Sequence, residues 1–237
     1  MTAEAVAGSC VTYPLALAIE DIVPIVLAGI GYWFLIKRTR SSVPAVAPAM
    51  QVAAVLLVLG SVLAGPVRKI LAFANQVPIC APDFEVPYSW CQIPFVVALA
   101  PGFAILAWGV ISVLRARKVA FWPAIGLLAL GVLAAVATDR RPILFAWGGL
   151  AAAVLAVAAA VLARRQRDFL AVGLFALYLV GTLALPVISN KGNVSQPEVQ
   201  WLAQGINTTI QLAFLIASYR LSSVFRRRTV DSAVNTV

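Results

Sequence analysis

Long apolar runs alternate with short clusters of Arg, Lys and Pro along almost the whole chain. A helix must offer about 20 apolar residues to cross a bilayer. Seven runs meet that need, at about residues 14–36, 50–67, 92–114, 119–138, 143–163, 169–188 and 199–221. The pattern predicts an all-α integral membrane protein: a seven-transmembrane-helix bundle forming one domain over residues 1–228, with a short flexible cytoplasmic tail at 229–237.

The interruptions carry their own information. KRTR at 37–40 closes the first run, and the Pro-rich SSVPAVAP turns the chain into the second. RARK at 115–118 closes the third, DRRP at 139–142 turns the fourth into the fifth, and RRQR at 164–167 closes the fifth. Pro101 and Gly102 fall inside the third run. A proline there removes a helical hydrogen bond and predicts a kink. In the fifth run Gly148, Ala152, Ala156 and Ala160 recur at every fourth position, a ridge small enough for a neighbouring backbone to approach closely.

The last run differs from the others. Counting about 100° per residue, Gln200, Gln204, Asn207, Thr208, Gln211, Ser218 and Ser222 fall on one side of the helix, with Trp201 and Tyr219 at its edge. Turning amides toward hydrocarbon costs several kcal/mol each. The stripe must therefore face other helices, trapped water or a ligand.

Composition supports the membrane reading. The chain is 62% apolar and only 11% charged, with a mean hydropathy of +0.95, against about 25% charged in soluble domains. A net charge of +9 would suggest nucleic acid as partner in a soluble protein, but here the basic residues punctuate apolar spans. Nucleic acid is excluded on that ground. Thirteen of the 18 Lys and Arg residues fall on one side of the expected topology. The positive-inside rule then places the N-terminus outside and the C-terminus in the cytoplasm. The Ala, Val and Arg-rich composition points to a bacterial cytoplasmic (inner) membrane, with no cleavable signal peptide at residues 1–13.

The chain contains no histidine. That removes histidine-ligated haem, histidine-containing zinc sites and histidine general bases, and no other cofactor, metal set or catalytic group is recognisable. Seven spans with an external N-terminus are similar in topology to microbial rhodopsins and to seven-span vitamin or sugar carriers. The likeness ends there: 199–221 has no lysine to hold retinal, and the PQ motif of the sugar carriers is missing.

Three groups of residues remain as candidates. Glu20, Asp21, Arg68 and Lys69 lie at one membrane face and predict an outer gate, in which an acid pairs with a base across helix ends. Trp201, Gln204, Asn207, Thr208 and Gln211, with Tyr178 on the sixth run, predict a ligand-binding wall entered from outside. Cys80 and Cys91 flank a Pro-rich loop on the side where disulfides persist, which predicts a bridge between them and leaves Cys10 free.

Two readings from different classes follow. In the first, the protein binds or translocates a small neutral or amphiphilic molecule through an outward-facing polar pocket. In the second, it is an accessory subunit whose stripe and small-residue ridge pack against a membrane protein partner. A membrane enzyme acting on lipid or quinone is a third. The partners in view are the lipid bilayer, a small-molecule ligand or lipid, and that membrane protein.

Overall fold

A computed structural model describes residues 14–76, 88–122, 124–126, 128–130, 133, 141–191 and 197–234. All regular elements among the described residues are helical: α1 Leu15–Glu20, α2 Ile22–Ser42, α3 Ala47–Val62, α4 Arg68–Ala74, α5 Ile93–Leu114, α6 Arg141–Arg165, α7 Phe169–Lys191 and α8 Pro197–Val234. Among the described residues, four helical stretches are long and apolar enough to cross a membrane: Leu15–Ser42, Pro44–Ala74, Trp90–Leu114 and Ile143–Arg165. Phe169–Leu185 is a shorter apolar helix. The described residues form an all-helical fold, and their long apolar helices are those of a membrane-embedded protein.

Proline chemistry shapes the first two stretches. Pro24 has no N–H to close on the carbonyl of Glu20. The helix breaks there into α1 and α2, with Asp21 at the joint. Pro66 likewise offers no donor to the carbonyl of Val62, and residues Leu63–Val67 widen into a π-helical turn between α3 and α4. Both breaks lie at the same end of the bundle, where α1 packs on α4 and on the π-turn.

Successive long helices pack side by side in the order α2, α3, α5, α6, α7 and α8, and α8 returns to α2. The described elements thus form a closed ring. Lipid tails are as apolar as leucine, so close packing rather than water exclusion holds such helices together. Small residues make it possible. A Cβ on Gly60 would stand 2.9 Å from the backbone of Phe95, which fixes the approach of α3 to α5. The ridge on α6 is spent in the same way: Gly148 faces Leu99, and Ala152 and Ala156 are each 1% exposed.

The centre of the ring is aromatic. Phe214 of α8 meets Tyr32 at 5.5 Å, Phe175 at 6.1 Å and Tyr178 at 4.8 Å between ring centroids, and Tyr32 reaches on to Phe103 at 6.3 Å. Gly31 leaves room for Phe214, whose ring would lie 2.6 Å from a Cβ placed there.

Several boundaries extend past their sequence limits. The basic stop at 37–40 does not end the first helix, because the Arg38 guanidinium donates to the Ser42 hydroxyl and Thr39 is buried. The second stretch continues through the π-turn to Ala74. The last helix runs on to Val234, through most of the residues assigned from sequence to a tail. No glycine or proline interrupts it after Gly205. Of the fourth apolar run, residues 122, 124–126, 128–130 and 133 are helical. Trp122, Ile125, Leu130 and Leu133 are exposed, and Trp108 holds the start of this run by donating to the Val119 carbonyl at 2.7 Å.

Candidate functional site

The two proline-made breaks bring the expected gate together. Asp21 Oδ2 lies 2.7 Å from Lys69 Nζ, and both side chains are buried. The carboxylate fits because residue 65 is glycine: a Cβ on Gly65 would stand 3.2 Å from Asp21 Oδ2. Glu20 turns the other way. Its Oε1 accepts a 2.6 Å hydrogen bond from Thr208 Oγ1, which ties α1 to α8. Glu20 and Arg68 both lie close enough to the Asp21–Lys69 pair to act on it electrostatically. Of the acid–base pairings open to the gate residues, the structure shows Asp21 with Lys69, and it joins Glu20 to the last helix, since successive residues at a helix break point in different directions.

The stripe on α8 faces the bundle. Gln200, Gln204, Asn207, Thr208 and Gln211 are half-buried, and Ser218 is fully buried. The opposite side carries Leu202, Leu212 and Ile216, which are exposed. Trp201 keeps 42% of its surface exposed and so stands at the rim. Tyr178 is 1% exposed and stacks on Phe214. Phe214 lies one helical turn beyond Gln211, so the Tyr178 ring joins the aromatic floor beneath the stripe.

The polar seam therefore has three parts: an acid, Glu20, at one side; uncharged amides and a hydroxyl along α8; and an aromatic plug of Tyr32, Phe214, Tyr178 and Phe175 below. Such an arrangement can offer hydrogen bonds to a polar group and apolar contact to the body that carries it. A separate groove of about 300 Å³ runs between α2 and α3, lined by Gly29, Trp33, Ala54, Val55, Val58 and Leu59 with Gln51 at one end. It is almost wholly apolar and opens where Trp33 and Val55 are exposed, so it has the character of a lipid-facing cleft.

Cys91 is buried and its thiol is free, next to the π-turn end of the bundle. Cys80 and Cys10 lie outside the described residues, so the expected bridge finds no support in the structure. Sequence reasoning missed two features. One is Gly65, whose meaning depends on the Asp21 carboxylate. The other is a lock at the opposite end, where Arg220 Nε lies 3.0 Å and 3.2 Å from the Asp168 oxygens, and Asp168 Oδ1 accepts from the Ala171 N–H at 3.1 Å. Asp before the apolar run at 169 is a helix N-cap signal that could have found it.

No protein-family model, curated protein or solved structure matches the chain.

Proposed function

We propose that the protein crosses the membrane seven times with its N-terminus outside, in a bacterial cytoplasmic membrane. In that setting it binds or translocates a small neutral or amphiphilic molecule at an outward-facing polar site. The α8 face from Gln204 to Gln211 supplies hydrogen bonds, Trp201 stands at the entrance, and the Asp21–Lys69 pair with Glu20 and Arg68 forms the outer gate. The orientation follows from the bias of basic residues. One observation carries the functional reading: the Thr208–Glu20 hydrogen bond at 2.6 Å turns the amide face of α8 into the bundle, against an acid. Interhelical hydrogen bonds are worth only about 0.6 kcal/mol each, which is little reason to place five polar side chains there. The aromatic plug supports a site closed at its inner end, as an occluded binding state requires.

The accessory-subunit reading is weaker, because the small-residue ridge it relies on is already packed within the bundle. The test is native mass spectrometry of the full chain released directly from membranes. Wild type is expected to carry a bound small molecule that a Gln204→Ala/Asn207→Ala variant loses. Equal retention by both removes this reading, and a stoichiometric protein partner in its place establishes the second.

A further inference from the structure

Two buried oxygens of the seam are acceptors without donors among the described residues. Glu20 spends Oε1 on Thr208, while its Oε2 is buried with no hydrogen-bond partner. Gln211 Oε1 is buried in the same condition. Gln211 follows Thr208 by three positions on α8, so the two share a face about one turn apart. Glu20 meets α8 at Thr208, and Gln211 lies about one turn further along that same side of α8. Leaving such atoms unmet is costly, and more so for a charged group. Both require a donor, and neither can use a second acceptor.

The charges nearby narrow the class. Lys69 is engaged by Asp21 at 2.7 Å. Arg68, at the start of α4, acts on the Asp21–Lys69 pair, whereas the α8 face from Gln204 to Gln211 holds no charge. A ligand entering along α8 meets one carboxylate, two amide side chains above it and one below. We infer that the seam takes the protonated amino group of an amphiphilic amine, with Glu20 Oε2 as its counter-ion and Gln211 Oε1 as its second acceptor. This inference rests on the α8 face being a ligand site and replaces the neutral ligand by an amine-bearing one.

The test uses the purified full chain in phosphatidylcholine nanodiscs, with thermal unfolding followed by tryptophan fluorescence. Hexylammonium, hexanol, hexanoate and sodium chloride serve as probes at matched concentrations. Hexylammonium is expected to raise the unfolding temperature well above the effect of hexanol. Glu20→Gln should weaken its apparent affinity about tenfold or more, as loss of a charged hydrogen bond does. Glu198→Gln, an exposed acid at the start of the same helix, should leave it unchanged. If Glu20→Gln does not accumulate, Gln211→Leu reads the second acceptor and should also weaken hexylammonium. Equal stabilisation by hexanol and hexylammonium overturns the amine assignment while leaving a ligand site in place. A shift by sodium alone overturns it in favour of a metal cation. No shift with any probe overturns it as well, the seam then holding water; loss of the bound molecule's dependence on Gln204 and Asn207 is what would remove the site itself.

Discussion

Gly65 lacks a side chain where the Asp21 carboxylate needs the space, since a Cβ there would lie 3.2 Å from Asp21 Oδ2. Within a helix, Gly→Ala is ordinarily favourable by about 1 kcal/mol. Here crowding of a buried ion pair opposes it, and overpacking costs about 1–3 kcal/mol. Gly65→Ala is therefore expected to lower stability by about 1 kcal/mol in detergent unfolding. In an Asp21→Ala/Lys69→Met background the sign should reverse, because the carboxylate has gone. The same sign in both backgrounds would refute the contact.

The Asp21–Lys69 pair itself should respond asymmetrically. Removing one partner leaves a buried charge unmatched, which costs about 3–5 kcal/mol. Asp21→Ala and Lys69→Met are each expected to destabilise by that order. Asp21→Leu with Lys69→Met should recover most of the loss, because two apolar side chains need no partner. A double-mutant cycle from equilibrium unfolding measures the coupling.

Much of this architecture was legible from residue order, and the reasons for the exceptions are physical. Apolar runs and their basic stops located the long helices because lipid imposes length and polarity together. The inward turn of the α8 stripe followed from periodicity alone. Which acid meets which base did not, since it depends on how the breaks at Pro24 and Pro66 rotate the helices relative to one another. The packing of the Tyr178 ring on Phe214 is likewise beyond periodicity, because it depends on how α7 and α8 meet. The helix running through 37–40 to Ser42 was hidden because Arg38 can satisfy itself locally through Ser42.

Two glycines on adjacent helices should behave oppositely. Gly181 of α7 packs directly on Ile210, whereas Gly205 of α8 has nothing within 4 Å of a Cβ. Gly181→Ala is expected to destabilise by about 1–3 kcal/mol through forced repacking. Gly205→Ala should stabilise by up to about 1 kcal/mol through helix propensity. Thermal unfolding of the two variants in one detergent checks both.

At the opposite end, Asp168 both caps α7 and pairs with Arg220, and variants can separate the two roles. Asp168→Asn keeps a capping oxygen but loses the ion pair, which is worth about 1 kcal/mol because the Arg220 side chain is 41% exposed. Asp168→Ala also loses the cap, adding about 1 kcal/mol. Equal losses in the two variants would mean that the cap contributes nothing.

Orientation is open to direct chemical labelling. Ser41 is exposed at the end of α2. With Cys10, Cys80 and Cys91 replaced by serine, Ser41→Cys should react with an impermeant maleimide only when the cytoplasmic face is opened. Labelling of intact cells would invert the topology.

The Thr208–Glu20 hydrogen bond spans 188 positions of sequence, which sets an order of events during synthesis. Glu20 emerges first, and its donor arrives only after the intervening helices have been made. Until then the acid and the amide face of α8 have no route to each other, and the ring stays open at its seam. Truncation before α8 should leave a chain that inserts but exposes Glu20, a buried-charge signal that membrane quality control can read. Completion of the site and closure of the ring are one event.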